Sequence, residues 1–196
     1  MSVERIPKDV RARYRWKEWN HAVAILTSDF SVEFDDIMYC LREFTLTPAD
    51  ILTPGGRKSV IAEKIDGLFR SRNWAEKGFD IQILVDGQSI PTPTHKIDNF
   101  KNRIGVEVEW NNKTEFYDRD LNNFRLLREL RVLSVGVIIT RISEFQQEFK
   151  RLGVPKKYGA STTHWDKLIP KIEGGGSGGC PLLVVGIGFD CYDPDA

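Results

Sequence analysis

Residues 132–139, Val-Leu-Ser-Val-Gly-Val-Ile-Ile, contain a single polar side chain, Ser134. An extended run without polar alternation has two faces to bury, so it belongs in the middle of a sheet with helices on both sides. Residues 181–189, from Pro181 through Leu-Leu-Val-Val-Gly-Ile-Gly to Phe189, make the same demand. These two segments constrain the rest of the chain. Whatever lies between and before them has to supply helices for two faces and further strands for the sheet.

The intervening pattern supplies both. Ala22, Ile25, Leu26, Phe30, Phe34, Ile37, Met38 and Leu41 recur at helical spacing, broken near residues 28–31, which predicts two helices in place of one. Ser59 is placed to cap a helix carrying Ile61, Ile65, Leu68 and Phe69 that ends near Asn73. Residues 79–87 predict a strand that stops in an Asp86-Gly87 turn, followed by a connection holding Pro91 and Pro93. Residues 104–110 predict a second strand, 121–130 an amphipathic helix, 143–152 a helix opened by Ser143, and 164–172 a short helix. The expected fold is α/β, a mixed central sheet flanked by α-helices, in one domain over residues 1–196. The glycine run at 174–179 reads as a flexible hairpin or hinge, since no Lys-Ser or Lys-Thr follows it to make a phosphate cradle.

Composition removes several classes of function. No stretch of about 18 apolar residues is present to span a membrane, and the first residues lack the apolar run of a secretory signal, so a cytoplasmic protein without a membrane partner is expected. Cys40, Cys180 and Cys191 are far apart and without the spacing of a zinc site, which suits reduced, structural thiols. His21 and His95 are isolated and have no partner at ligand spacing. The 28 basic and 28 acidic residues cancel, which argues against a protein that coats nucleic acid nonspecifically. Local basic runs remain, Arg11, Arg13, Arg15 and Lys17 in one segment and Lys150, Arg151, Lys156 and Lys157 in another. Each is either part of a binding face or a solvated helix end.

The segment from His95 to Asn112 carries the chemistry. Side chains two apart on a strand share a face, so Glu107 and Glu109 project together while Val106 and Val108 point into the core. Asp98 lies nine residues before Glu107, at the end of the connection, where a hairpin-like return brings it alongside. Three clustered acids repel one another unless a hard cation neutralises them. An oxygen-only set favours Mg2+, with Mn2+ able to substitute, over zinc. Spacing alone leaves a second reading open, in which Glu107 and Glu109 are the solvent face of an amphipathic edge strand.

The same segment resembles the active site of type II restriction endonucleases of the BglII and BstYI kind, relatives of BamHI within the PD-(D/E)xK nuclease superfamily. Asp98 is followed after eight residues by Glu107, then any residue, then Glu109. Trp19-Asn-His-Ala22, Glu107-Val-Glu-Trp-Asn-Asn112 and Val137-Ile-Ile-Thr-Arg141 extend the resemblance over residues 19–141. Position 109 departs from the superfamily's usual Lys, and the BglII pattern has Gln there; a Glu is what BamHI has. The resemblance implies hydrolysis of duplex DNA to a 5′-phosphate and a 3′-hydroxyl. Asp98 and Glu107 would hold the metal, the Val108 carbonyl would complete its coordination, and Glu109 would serve the attacking water or a second metal. Glu63, on the preceding helix, is either an outer-shell ligand through water or a solvated carboxylate beside Lys64. It further implies a homodimer reading a palindrome with a GATC core, four-base 5′ overhangs, and a cognate methyltransferase acting separately in a bacterial or archaeal host.

Asn111 and Asn112 follow the acidic strand directly, where the resemblance places base-reading residues, and Asn bonds bidentately to adenine in the major groove. A strand-stopping turn is the other reading of the pair. Ser161, Thr162, Thr163 and His164 are a second candidate reader or a helix cap. Arg57 and Lys58, after two glycines at a helix start, form either a phosphate clamp or a loop. Two rival functions stay open at this stage: a DNA repair or junction-resolving nuclease with little sequence preference, and a catalytically inactive DNA-binding module.

Overall fold

A computed structural model describes the chain except for Met1, Gly55, Arg57 and Ala160 and the side chains of Thr92 and Pro93. In chain order the elements are α1 (Lys8–Arg13), β1 (Tyr14–Trp19), α2 (Ala22–Asp29), α3 (Ser31–Glu43), α4 (Pro48–Leu52), α5 (Val60–Ser71), β2 (Ala75–Lys77), β3 (Asp80–Val85), β4 (Gln88–Pro93), β5 (Ile97–Lys101), β6 (Ile104–Glu109), α6 (Glu115–Glu129), β7 (Val135–Arg141), α7 (Phe145–Arg151), α8 (Trp165–Glu173) and β8 (Leu182–Ile187). The central sheet has six strands in the order β1-β8-β7-β6-β5-β2. β6, β7 and β8 run parallel, and β1, β5 and β2 are antiparallel to their neighbours, so the sheet is mixed.

The two apolar runs occupy the middle of this sheet as β7 and β8, with every residue of both strands buried. Val106, Val108, Val135, Val137, Ile139, Leu183 and Val185 pack toward α2, α3, α5 and α7. Ile138, Leu182 and Val184 face α6 and α8 on the other side. Helix α6 lies unusually close. A Cβ on Gly136 would come within 2.5 Å of the Phe124 ring, so the small residue permits the approach. Its neighbour across the ladder is Gly105 on β6, and together they let α6 settle over the acidic strand.

Several helices form where their sequence punctuation places them. The gap at Phe30 separates α2 from α3, and Ser59 Oγ accepts from Ala62 N at 3.0 Å to cap α5. Other expectations are corrected. Residues 88–93 form β4, which pairs with β3 in a two-stranded sheet separate from the central one, so the strand expected at residues 79–87 does not join the main sheet. The prolines fit because the hairpin is short and exposed. Asp98 sits within strand β5, not in a connection, and β5 turns into β6 through Asn102 and Arg103, both at positive φ. The glycine run is a close-packed turn after α8, not a hinge. Its amides return to Pro170, Ile172 and Lys171, and a Cβ on Gly178 would strike Arg125.

The basic runs are largely engaged inside the molecule. Arg13 donates to the carbonyls of Leu41 and Phe44, Arg15 pairs with Glu144 at 2.6 Å, Lys17 pairs with Glu173 at 2.6 Å, and Arg151 pairs with Glu148 at 2.5 Å. They do not form one free basic face.

Candidate active site

The site grows from the β5–β6 hairpin. The ladder between these strands ends at the pair Asn99–Val106. Against β2, three residues of β5 advance for two of the partner, a bulge at Asp98 and Asn99. Bulges re-aim side chains, and here both residues acquire special partners. The Val108 amide, past the end of the ladder, donates to Asp98 Oδ2 at 3.2 Å, and the Asp98 amide donates to Glu107 Oε2 at 3.3 Å. Asn99 donates to Asp66 Oδ1 on α5 at 2.6 Å. Asp98 and Glu107 are thereby locked side by side.

Glu107 and Glu109 share a face, as alternation requires, but that face is covered by α6, and both residues are almost wholly buried. Neither is the solvent edge of an amphipathic strand, which removes the bland reading of their spacing. Burial pushes the Glu107 carboxyl well up from its usual range, and the charges of Asp120, Asp98 and Glu109 push it further. Its Oε1 is buried with no hydrogen-bond partner, a costly arrangement for a structural side chain.

Glu109 accepts from Asn112 Nδ2 at 2.8 Å and lies 3.7 Å from Arg119 Nη2. It faces a fourth carboxylate, Asp120 of α6, which is fully buried. Burial and the Asp120 charge raise the Glu109 carboxyl, so of this pair Glu109 holds the proton. Asp120 takes both Nε (3.0 Å) and Nη2 (2.9 Å) of Arg119 on Oδ1, while Oδ2 has no partner. Neither residue is an expected site member. Their signal is present in the sequence all the same, because Asp120 falls on the apolar stripe of Tyr117, Leu121, Phe124 and Leu127, where a structural helix has no use for an acid.

The two candidate reading segments are brought together. Thr163 N donates to the Asn112 carbonyl (2.8 Å), Asn112 N donates to Thr163 Oγ1 (3.1 Å), and Thr114 N donates to the Ser161 carbonyl (3.1 Å). Asn111 Nδ2 donates to the Lys157 carbonyl at 3.1 Å. Ser161 and Asn112 are exposed, whereas Thr163 is buried. Thr162 Oγ1 accepts from Arg141 Nη2 at 2.9 Å, and His164 Nδ1 is bonded to Ser143 Oγ at 2.7 Å. Arg141, itself buried, also donates to the Trp110 carbonyl at 3.3 Å and so ties the reading segment to the end of β6.

Lys58 lies in contact with Asp66 and is 3.3 Å from Glu63. Arg57 falls outside the described residues. Glu63 is exposed and also pairs with Arg70, so the carboxylate of α5 that reaches the site strands is Asp66, one turn further on. An open cleft lined by Lys58, Asp98, Glu109, Asn112, Arg119 and Lys157 connects Asp98 and Glu109 with Asn111 and Asn112.

These side chains suit a hard cation. The donors are carboxylate oxygens, and Glu107 Oε1 lacks any other partner. Among the described residues, no three acidic, imidazole or thiolate side chains already surround one point. A pair of carboxylates is what Mg2+ commonly takes from a protein, since it retains waters and binds phosphate oxygens.

The sequence profile of the restriction endonuclease BglII/BglIII family matches residues 14–187, nearly the whole chain, and the protein belongs to that family. It is therefore a site-specific deoxyribonuclease that binds double-stranded DNA, of a family that generally uses divalent metal ions. No curated protein matches the chain. Among the described residues, no helix is long and apolar enough to cross a membrane.

Proposed function

We propose that this protein is a Mg2+-dependent type II restriction endonuclease, placed with BstYI in the PD-(D/E)xK superfamily, that cuts a short palindrome as a homodimer. The observation that carries the reading is the Asp98–Glu107 pair, locked across two strands with one carboxylate oxygen of Glu107 buried and unpartnered. Asp98 and Glu107 would hold the ion, with the Val108 carbonyl beside them, and Mn2+ would serve in its place. When bound, the ion polarises the scissile phosphate and lowers the pKa of water.

Glu109 is placed to take a proton from the attacking water. Burial and the Asp120 charge keep it protonated in the metal-free protein, so it would serve as a base only when a neighbouring cation favours its ionised form, and Asn112 and Asp120 orient it. The water oxygen bonds to phosphorus, the P–O3′ bond breaks, and the 3′ oxygen takes a proton from a solvent water, yielding a 3′-hydroxyl and a 5′-phosphate. Asn111 and Asn112 line the cleft, and with the exposed Ser161 they would read base edges. In a two-fold dimer the same residues meet each half-site of a GATC-centred sequence, leaving four-base 5′ overhangs. A separate methyltransferase of the same specificity would protect the host DNA.

Digestion of a sequenced plasmid with Mg2+, Mn2+ or Ca2+, followed by sequencing of the ends, tests the reading. Discrete fragments with 5′-phosphates at a GATC-centred palindrome are expected. Ends at an asymmetric or GATC-free site would overturn the specificity, and a monomer on DNA by sedimentation would overturn the symmetric mechanism.

A further inference from the structure

We infer that Arg119 is a catalytic residue whose guanidinium grips the non-bridging oxygens of the scissile phosphate. The inference rests on the nuclease reading above and starts from how the side chain is held. Residues i and i+1 do not face each other on a helix, yet Arg119 folds back so that Nε and Nη2 both meet Asp120 Oδ1, at 3.0 and 2.9 Å. Its guanidinium carbon stands 4.1 Å from the centroid of the Phe116 ring. A buried acid and an aromatic face thus set the plane of the fork, and the side chain stays one-third exposed in the cleft that contains Asp98, Glu109 and Asn112. Among the described residues, Nη1 makes no hydrogen bond.

Among the described residues, the other cations of the cleft are committed elsewhere. Lys58 is held by Asp66 and Glu63, Lys157 donates to the carbonyls of Ile51 and Thr53, and Lys96 pairs with Glu76 at 2.7 Å. Burial, reinforced by the Arg119 charge, favours the neutral form of His95. A phosphate entering the cleft meets Asp98 and Glu109, with Glu107 and Asp120 buried behind them, and its charge rises from one negative toward two as water adds to phosphorus and before the P–O3′ bond breaks. A planar fork matches two phosphate oxygens at once, and arginine stays protonated throughout.

The test compares the wild type with Arg119→Ala and Arg119→Lys on two duplexes. One carries an ordinary scissile phosphate and the other a neutral methylphosphonate at that position. In Mg2+, Arg119→Ala should lose about 10²- to 10³-fold in single-turnover cleavage, and Arg119→Lys, which keeps the charge without the fork, should recover only part. In Ca2+, Arg119→Ala should bind the phosphate duplex about tenfold more weakly with a salt slope smaller by about 1. On the methylphosphonate duplex the wild type and Arg119→Ala should bind alike. An equal loss of affinity on both duplexes would make Arg119 a structural residue and overturn the inference, as would undiminished cleavage. A wild type that cuts no DNA would instead overturn the nuclease reading itself.

Discussion

Asp36 and the Glu107–Glu109 pair are both buried, and the molecule treats them oppositely. Asp36 on α3 is almost fully buried, and burial alone would raise its pKa. Lys101 Nζ at 2.8 Å, Arg72 Nε at 2.7 Å and Trp74 Nε1 at 3.1 Å outweigh that and hold it below the usual carboxylate range. Glu107 and Glu109 are as deeply buried, yet among the described residues no lysine reaches them and Arg119 approaches only Glu109 and Asp120. The protein satisfies the first itself and leaves the second uncompensated, which suits the ion and phosphate proposed for it. Uncompensated buried charge is destabilising, so a chain keeps it where function requires it.

The sharpest break of this contrast comes from removing ion ligands. Asp98→Ala and Glu107→Ala should each lower Mg2+-dependent cleavage by about 10³-fold or more, the several kcal/mol that an ion supplies to the transition state. Specific binding measured in Ca2+ by fluorescence anisotropy should persist. Substantial residual cutting by either variant would sink the ligand assignment. Asp36→Asn, in the satisfied group, should leave the cleavage rate of the folded protein near that of the wild type.

Glu109 comes next in size. Glu109→Ala should cost about 10²-fold in single-turnover rate, the lower end of general-base catalysis, with little change in thermal midpoint. If Glu109→Ala and Glu109→Lys both cut at the parental rate, the residue has no part in activating water.

Within the reading segment the two asparagines separate binding from rate. Asn111→Ala should cost about 1 to 3 kcal/mol at one base pair, measured against duplexes substituted at each position. Asn112→Ala should show a similar loss and also slow cleavage, because its amide holds Glu109. Equal behaviour of both variants toward every duplex would remove base reading from these positions.

The finest distinction is the sign of the pH dependence. The raised pKa values of Glu107 and Glu109 place their contribution to metal-free stability below the unfolded value of about 4.3, and it is lost as pH rises through the native values. The lowered pKa of Asp36 does the reverse. Its contribution is present above about 3.9 and disappears as pH falls through the native value. In urea unfolding of the metal-free protein, Glu107→Gln should therefore gain more stability at pH 8 than at pH 5, whereas Asp36→Asn should lose stability about equally at both. A Glu107→Gln variant weaker than wild type at pH 8 would contradict the account of an uncompensated acid.

Much of the site is legible in local pattern. The two-residue period of β6 puts Glu107 and Glu109 on one face, and a short return carries Asp98 to them. The position of Asn111 and Asn112 follows from where the strand stops. The less visible parts are those that pattern does not encode. β1 reads as a basic run because Arg15 and Lys17 continue the spacing of Arg11 and Arg13 in α1, and its pairing with β8 spans nearly the whole chain. The detached β3–β4 hairpin looks like a sheet strand, since alternation reports a half-buried surface without saying which strand lies beside it.

The amino-acid sequence by itself determined the three parallel strands at the middle of the sheet, the acids of β5 and β6 and the family to which the chain belongs, because these depend on residue type and short spacing. Tertiary structure alone decided that Glu107 and Glu109 are covered by a helix, that Asp120 and Arg119 join them from α6, and that residues 111–114 and 161–163 are hydrogen-bonded into one edge. The physical reason is that burial and charge compensation depend on which distant side chains come to lie opposite a residue. Here the close approach of Phe124 to Gly136 settles that, by laying α6 over the acidic strand.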